Sequence, residues 1–405
     1  MRKLVKLMLC MIVGIGALFQ LTLNSETNYI SKLKMVSESK EKDIGINLSL
    51  NNNVVNNDEV GTLETGNKLA LDDSVFDNCY AYSTLDADEK QLYVEMYAAI
   101  MNHDAMVRLT TKNADFLENV YYALSADHGE IFWSNGYEYK SYKVRGDLAY
   151  INFSPKYTFT EEQRAEYQSE IDTNIKEFMS GVKDDMTDYE KSKYVYETLI
   201  NEVGYNLQSE NNQNIISVFL NRETVCEGYS RAAQYMFNKM GISSFIIAGD
   251  ANGEPHAWNA VKLDGEWYYF DTTWGNSTYQ NGKQSSSKFV NHTYLNITET
   301  ELLSTRNMYV RFDMPDFSST TNNYFVKEGT YIEEWNPDVI GLIFSNAWNN
   351  GNKSCDIKFK NKYLYDKVID YFFESGSIYK YCAGLSSCTY FTSKELSVLT
   401  VYYDR

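Results

Sequence analysis

The stretch TVCEGYS, residues 224–230, contains Cys226, and the prediction of the fold starts from this cysteine. Cys226 opens a run whose apolar side chains recur at helical spacing as far as Met240, and Gly241 follows as a stop signal. The spacing therefore predicts a helix that begins at Cys226. A thiol at a helix N-terminus lies in the positive field of the helix dipole. Because that field lowers the thiol pKa, we expect a reactive thiolate at this position.

Two further segments, PHAWNAV (255–261) and YYFDTTW (268–274), supply an imidazole and a carboxylate. Both patterns are typical of strands, and Asp264-Gly265 between them is a strong signal for a two-residue hairpin turn. If the strands pair directly across that turn, side-chain alternation places His256 on the face that carries Asp271. Diagonal neighbours on paired strands are about 7–8 Å apart, so the carboxylate can reach the imidazole. The hairpin therefore predicts a His–Asp pair.

A thiol, an imidazole and a carboxylate are the attacking group, the proton acceptor and the orienting group that a cysteine nucleophile requires. A single cysteine is more often a small core residue, and a single histidine on a strand is more often buried and satisfied by hydrogen bonds. Because the three contexts converge, we predict that Cys226, His256 and Asp271 are catalytic. Trp258 and Trp274 are predicted to line the cleft and exclude water, although tryptophan is normally a core residue.

The segment from Lys191 to Arg306 resembles the transglutaminase-like superfamily, which has a papain-like cysteine fold. The matching pieces CEGY, HAWN and DTTW, which begin at the three predicted catalytic residues, occur in the family order. DHGEIFW (127–133) and Tyr205-Asn206 also resemble secreted bacterial members, whereas Glu227 stands where an aspartate is commoner. The resemblance implies the same nucleophile, base and orienting acid, and it implies that Tyr205 could donate a hydrogen bond to the oxyanion. Packing in a core is the simpler interpretation for one of 34 tyrosines.

These features together predict an exported cysteine-dependent acyl transferase or hydrolase that acts on peptide or glutamine carboxamide bonds. The thiolate would attack the carbonyl while the backbone N–H of Cys226 helps to hold the oxyanion. An amine acceptor would give cross-linking and water would give hydrolysis; the sequence does not choose between them, and we favour peptidase or amidase chemistry. The alternative is a non-catalytic cell-surface binding or adhesion module that retains the fold. The expected partner is a protein or peptide substrate, with cell-wall peptide as a candidate.

Composition argues against several other classes of protein. The formal net charge of −18 disfavours binding to nucleic acid or to anionic lipid. We expect no cofactor and no metal, since His103, His128 and His292 are scattered, no Cys or His pair has ligand spacing, and no glycine-rich phosphate loop occurs.

The N-terminus is predicted to direct export. Positive charges at residues 2, 3 and 6 precede an uncharged apolar run over 7–23, which is typical of a signal peptide. We therefore expect residues 1–24 to be a signal peptide or a retained anchor, and the protein to be secreted or at the cell surface. Five cysteines follow this segment, so at least one thiol should be free. Cys382 and Cys388 could close a short loop, either could pair with Cys355, or all could be reduced.

The chain is predicted to have an α+β fold with a papain-like transglutaminase core. Residues 25–75 are expected to be a disordered spacer, because the segment 30–75 is polar and contains no aromatic residue. An N-terminal α/β region would cover 76–185, the core 186–310 and a small C-terminal α/β unit 311–405. The C-terminal unit contains no histidine, so we expect it to support the core without catalysing.

Local signals predict several element boundaries. Capping boxes are expected where a Ser, Thr or Asp precedes a Glu or Gln by three residues, as at Asp86–Glu89, Thr160–Gln163 and Thr187–Glu190. In the C-terminal unit, Asn336-Pro337 should begin a helix, and NYFVKEGTYIE (323–333) is predicted to be a strand.

Overall fold

The computed structural model describes residues 52–56, 73–276 and 290–404. The predicted signal segment and most of the predicted spacer lie outside these ranges. Within the predicted spacer, however, residues 52–56 form a strand that pairs in parallel with residues 139–143. The prediction of disorder is wrong for this stretch, because backbone hydrogen bonds to a neighbouring strand can order a polar segment that has no aromatic side chain. None of the described helices is long and apolar enough to cross a membrane.

Helices and strands are mixed along the chain, which confirms the α+β class. The helices are α1 (Tyr80–Thr84), α2 (Ala87–Met101), α3 (Phe116–Asp127), α4 (Glu161–Phe178), α5 (Asp188–Glu202), α6 (Cys226–Lys239), α7 (Thr272–Gly275), α8 (Glu299–Leu302), α9 (Tyr324–Lys327), α10 (Pro337–Asn349), α11 (Lys362–Val368) and α12 (Ile378–Tyr381). Further helical turns lie at Asp73–Phe76, Ser217–Asn221, His292–Tyr294 and Ile369–Glu374. The strands are β1 (Asn52–Asn56), β2 (Val107–Leu109), β3 (Ser134–Val144), β4 (Asp147–Tyr157), β5 (Gly204–Tyr205), β6 (Glu223–Thr224), β7 (Ser244–Ala251), β8 (Glu254–Leu263), β9 (Glu266–Phe270), β10 (Leu295–Ile297), β11 (Arg306–Met308), β12 (Tyr331–Ile332), β13 (Ser354–Phe359), β14 (Cys388–Ser393) and β15 (Val398–Tyr403).

The three predicted capping boxes are all present, at the starts of α2, α4 and α5. In each, the N-cap side chain accepts a hydrogen bond from the N3 backbone, and the N3 side chain accepts one from the N-cap backbone. Two backbone donors that would otherwise lack a partner are thereby satisfied at each helix start. The capping-box pattern therefore predicted the N-terminal ends of these three helices correctly.

The described strands form sheets in the N-terminal, central and C-terminal parts of the chain. The N-terminal strands follow the order β1-β3-β4-β2, and the central sheet follows the order β10-β9-β8-β7-β11. In the central sheet, β8 and β9 form the predicted hairpin, with Leu263 paired to Glu266. The turn residues Asp264 and Gly265 have φ values of 52° and 89°, which suits a type I′ turn. The register predicted from the turn is confirmed.

Helix α6 packs against the central sheet through polar as well as apolar contacts. The amide of Asn259, in β8, donates to the carbonyl of Ser230 at 2.9 Å. The amide of Gln234 donates to the carbonyls of Ser244 and Ala126, at 2.9 and 2.7 Å. These buried bonds fix the position of α6 against the hairpin that carries the other predicted catalytic residues.

The C-terminal strands form a sheet of order β12-β13-β15-β14, in which β12 runs parallel to β13 and the other pairs are antiparallel. Helix α10 begins after Asn336, as predicted. The predicted strand at 323–333 is wrong over its first half, which is helix α9, and only Tyr331–Ile332 is a strand. The side chain of Asn323 accepts a hydrogen bond from the backbone N–H of Phe325, which caps α9 and overrides the β-propensity of the aromatic residues.

The C-terminal sheet is joined to the core through a buried histidine. His292 Nδ1 lies 2.6 Å from the carboxylate of Asp356 in β13, and its Nε2 lies 3.0 Å from that of Glu197 in α5. The ring also stacks on Tyr324, with ring centroids 4.0 Å apart. Burial alone would lower the pKa of His292, but hydrogen bonds and charge attraction from Asp356 and Glu197 raise it above its ordinary value. His292 thus bridges two carboxylates from different parts of the chain, and both contacts favour its protonated form.

We expect His292→Gln to lower the free energy of unfolding by about 3 kcal/mol near pH 6, because the carboxylates of Asp356 and Glu197 then lose the positively charged partner between them. The pKa of His292 is raised in the folded state, so its contribution is complete below the ordinary pKa of 6.5 and is lost as pH rises through the folded value. Urea unfolding between pH 5.5 and 8.5 measures this. A stability difference between wild type and variant that stays constant over that range would contradict the prediction.

Candidate active site

The predicted helix is confirmed: α6 begins at Cys226, with Val225 as its N-cap. The approach to the helix is held by Thr224, whose hydroxyl donates to the carbonyl of Asn212 at 2.7 Å. A side chain at Gly228 would place its Cβ 1.9 Å from the Thr224 hydroxyl oxygen, so only glycine fits there. The sequence TVCEGY thus specifies a tight entry that presents Cys226, half-buried, at the first turn.

The prediction that the pKa of the Cys226 thiol is lowered is wrong. Desolvation and, to a smaller extent, the charge of the neighbouring Glu227 carboxylate raise the pKa of Cys226 to about 12, although a hydrogen bond from the Ala257 backbone partly opposes them. The field of a helix terminus is a modest effect, whereas removal of water from a thiolate and a like charge one residue away both oppose ionisation. The thiol is therefore neutral at rest and needs a base.

His256 precedes Ala257, whose backbone forms a hydrogen bond with the Cys226 thiol. His256 places its Nε2 2.8 Å from Oδ2 of Asp271, and both side chains are almost fully buried. Its other ring nitrogen, Nδ1, is buried and has no hydrogen-bond partner among the described residues. Because an ionised Asp271 accepts a hydrogen bond, we assign the ring proton to Nε2, which leaves the Nδ1 lone pair able to take a proton. The His–Asp pair predicted from the hairpin register is present.

The Asp271 carboxylate is held ionised by hydrogen bonds from three neighbours. Its Oδ1 accepts from the backbone N–H of Trp274 at 3.2 Å, and its Oδ2 accepts from both His256 and Arg306. Burial alone would raise the pKa of Asp271, but charge attraction and hydrogen bonds from His256 and Arg306 hold it at about 2. The carboxylate is therefore charged across the physiological range and keeps the imidazole in one orientation.

Arg306 is the site residue that the sequence analysis did not identify. Its Nη2 and Nε donate to Oδ2 of Asp271 at 2.7 and 3.2 Å. The guanidinium is almost completely buried between the rings of Trp274 and Tyr294, 4.6 and 4.1 Å from their centroids. It lies in β11, which pairs with β7. No local motif marks this arginine, because only the pairing of two strands distant in sequence brings it to Asp271.

The remaining predicted site residues have different surroundings. Trp258 is fully buried and stacks on His256, with ring centroids 5.7 Å apart. Trp274 is half-buried, and its ring meets that of His256 edge to face at 6.4 Å. Both tryptophans thus border the imidazole. Tyr205 pairs in β5 with Thr224 in β6, two residues before Cys226, and it packs against the main apolar core. Its role as an oxyanion donor stays a prediction.

Other groups at the site bear on its chemistry. All five described cysteines are unpaired, so the disulfide alternatives are not formed in this structure. Over the described ranges, no group of three or more His, Cys, Asp or Glu side chains could hold a metal ion. The side chains of Cys226, His256, Asp271 and Arg306 are therefore the chemical groups that the structure assembles here.

Comparison with known proteins identifies the segment that contains these residues. The model of the transglutaminase-like superfamily matches residues 176–272, which include Cys226, His256 and Asp271. Residues 176–272 of this chain are thus similar to the transglutaminase-like superfamily. Arg306 lies beyond the matched segment, so the family match does not account for the arginine that binds the Asp271 carboxylate.

The chain is also similar to individual proteins. It is 26% identical to the human kyphoscoliosis peptidase over 106 residues, which are 22% of this chain and 16% of that protein. It is 32% identical to the mouse kyphoscoliosis peptidase over 66 residues, which are 13% of this chain and 10% of that protein. The chain thus matches only a small share of the length of these relatives. A solved TGase structure has 14% identity and a TM-score of 0.25, over 51% of this chain and 50% of that one.

Glu227 gives a test of the electrostatics around the thiol. Its Oε1 accepts from Nε of Arg231 at 2.7 Å, whereas its buried Oε2 has no partner among the described residues. We expect Glu227→Gln to increase the rate at which iodoacetamide modifies Cys226 at pH 7 by about tenfold. The change removes a negative charge that raises the pKa of the thiol and leaves the positive charge of Arg231 nearby.

Peptide mapping after brief labelling measures the rate at Cys226, and Glu223→Gln is the matched control. Glu223 is exposed and lies three residues before the same cysteine, so its loss changes the net charge equally without changing the buried environment. An unchanged or slower rate in Glu227→Gln would show that the carboxylate does not oppose ionisation of the thiol.

Proposed function

We propose that the protein is a cysteine-dependent acyl transferase or hydrolase that acts on peptide or glutamine carboxamide bonds, with Cys226 as nucleophile, His256 as base and Asp271 as orienting acid. The observation that supports this most strongly is the state of His256. One ring nitrogen is bound to an ionised carboxylate, and the other is buried without a partner among the described residues. A buried imidazole with one nitrogen unused is costly for stability, and proton transfer gives it a function.

The neutral state of the thiol defines the first step. Because the pKa of Cys226 is about 12, the proton moves from Sγ to Nδ1 of His256 as the sulfur attacks the carbonyl carbon. The negative charge that develops on the carbonyl oxygen is met by the backbone N–H of Cys226 at the start of α6. The imidazolium then protonates the leaving amine or ammonia, and a thioester on Cys226 remains.

The second step releases the acyl group. His256 takes a proton from water, or from an amine, which attacks the thioester carbonyl and regenerates the thiol. We propose hydrolysis, and therefore peptidase or amidase activity, as the main outcome. We also propose that the protein is exported and that its substrate is a protein or peptide, with cell-wall peptide as one candidate. The apolar run over 7–23 and the net charge of −18 support export and disfavour nucleic acid as a partner.

The acyl-enzyme tests this proposal. Incubation of the folded protein with a small amide-mimicking thioester should add one acyl group to Cys226, seen by intact mass and mapped by digestion. The adduct should decay in buffer, and added amine should accelerate its decay if amines are accepted. The matched variants His256→Ala and Cys226→Ala should form no adduct. An adduct rate in His256→Ala equal to that of wild type would favour the alternative of a non-catalytic binding module.

A further inference from the structure

We propose that a groove beside the candidate active site binds an extended, basic segment of the substrate polypeptide, and that the C-terminal unit provides one wall of this groove. This inference rests on the proposed acyl transfer and names the class of substrate that the same site would take. It also gives the C-terminal unit a role beyond the support expected from its sequence.

The groove lies between the core and the edge of the C-terminal sheet and has a volume of about 710 Å³. On the core side, it is lined by Glu254 at the start of β8, by Trp274 in α7 and by Tyr294. On the opposite side, it is lined by Tyr390–Ser393 of β14 and by Glu395. The volume falls in the range of sites that bind ligands larger than a single side chain.

The groove shares the side chain of Trp274 with the surroundings of the predicted catalytic residues. Trp274 lines it, and the same indole ring is 6.4 Å from the ring of His256. Trp274 and Tyr294 also enclose Arg306, which binds Asp271. A chain that occupied the groove would therefore lie against the indole ring that borders the imidazole of His256.

The shape and lining of the groove suit an extended polypeptide. Strand β14 is the outermost strand of its sheet, and its residues Tyr390–Ser393 offer a wall about 13 Å long at about 3.3 Å per residue. An extended segment of about four residues would match this length. Half-buried or exposed hydroxyl and amide side chains, at Thr392, Ser393 and Asn252, line the path and can bond to peptide groups. The rings of Tyr390 and Trp274 also line the groove and can make apolar contacts with the bound segment.

The charges of the groove select the side chains that such a segment would carry. Glu254 and Glu395 are exposed, and both line the groove, whereas no lysine or arginine is among the described residues that line it. Arg306 lies behind the aromatic wall, and Asp271 neutralises it. A lysine or arginine in the bound segment would therefore be attracted, and an aspartate or glutamate would be repelled. The groove would therefore discriminate between basic and acidic segments through attraction of the first and repulsion of the second.

Two peptide electrophiles test the proposal. Both carry the same thiol-reactive vinyl sulfone, one flanked by lysines and the other by glutamates at the same positions. The measured quantity is the ratio of the rates at which the two probes modify Cys226 in the same protein, a ratio in which the intrinsic reactivity of the thiol cancels. We expect a ratio of about tenfold in favour of the lysine probe in wild type. It should fall to about twofold in Glu254→Gln/Glu395→Gln and invert in Glu254→Lys/Glu395→Lys.

The control is Glu266→Gln, which removes an exposed carboxylate of the same hairpin at a position that does not line the groove, and should keep the wild-type ratio. A ratio that is the same in all four proteins, or a wild-type preference for the glutamate probe, would overturn the proposal. Failure of the proposed function has a different signature, namely iodoacetamide labelling of Cys226 that does not depend on His256. In that case, fluorescence anisotropy of a lysine-rich peptide on Cys226→Ala protein, with and without the two Glu→Gln changes, still decides whether the groove binds basic chains.

Discussion

Asp271→Asn is expected to lower the rate of acyl-enzyme formation by about 10²- to 10⁴-fold; the upper value is the known effect of the same change in a serine-protease triad. The amide can donate as well as accept, so it no longer requires Nε2 to carry the proton and no longer stabilises the imidazolium. Asparagine supports a cysteine nucleophile in some enzymes, which sets the lower value. Single-turnover acylation of Cys226, followed by mass spectrometry, measures the rate.

The same change should also destabilise the fold, because Arg306 donates two hydrogen bonds to the Asp271 carboxylate from a buried position. An uncompensated buried guanidinium costs about 3–5 kcal/mol. We therefore expect Asp271→Asn/Arg306→Met to recover much of the stability, since methionine can pack between Trp274 and Tyr294, while acylation stays slow. Recovery of acylation together with stability would show that Asp271 acts through folding alone.

Arg306→Met in the presence of Asp271 should lower acylation by about tenfold or more at pH 6 and by less at pH 8. Arg306 is one of the two groups that hold the pKa of Asp271 at about 2 against the effect of burial. Without Arg306, the carboxyl group takes up a proton at a higher pH, so the acid limb of the pH–rate profile moves upward. Rates of acylation measured between pH 4 and 9 test the direction of that movement.

A matched control is Arg311→Met, because Arg311 pairs with Glu118 and is a quarter exposed, so the same chemical change is made outside the site. Its profile should coincide with that of wild type. If Arg306→Met lowers the rate equally at every pH, Arg306 acts only through packing, and its proposed role as the positioning residue for Asp271 is wrong.

Much of the site could be predicted where local chemistry determines geometry. The Asp264-Gly265 turn fixes the pairing of β8 with β9, and this register alone places His256 and Asp271 on one face. The spacing of apolar residues and Gly241 fixes α6, with Cys226 at its first position. These predictions succeeded because each depends on residues that are close in the chain.

The features that were missed depend on contacts between distant residues. The pKa of Cys226 is raised by burial and by the charge of Glu227. That Oε2 of Glu227 is buried without a hydrogen-bond partner among the described residues is visible only in the three-dimensional structure. Arg306 reaches Asp271 through the pairing of β11 with β7. In the same way, the side-chain cap of Asn323 turned an apparent strand into α9. The spacing of apolar residues and the helix and strand propensities of single residues do not reveal such contacts between distant parts of the chain.

The C-terminal unit shows the same limit at a larger scale. Its helix start at Asn336 follows from sequence, yet its position does not. Leu396 and Val398 belong to the apolar cluster that also contains Trp258, the residue that stacks on His256. The unit therefore packs directly behind the candidate active site, which no pattern in residues 311–405 indicates. The predicted boundaries of this unit and of the core remain predictions.

His256 is proposed to make Cys226 a nucleophile, and alkylation of the cysteines in the presence and absence of the imidazole tests this role. Wild type and His256→Ala are treated with limiting iodoacetamide at pH 7, and labelling of all five described cysteines is mapped. Cys388 is the internal standard, because it is half-buried like Cys226 and its pKa is also raised by burial. We predict that Cys226 is labelled first in wild type and falls to the rate of Cys388 or below in His256→Ala. Equal rates at Cys226 in the two proteins, or faster labelling of Cys388 in wild type, would contradict the claim.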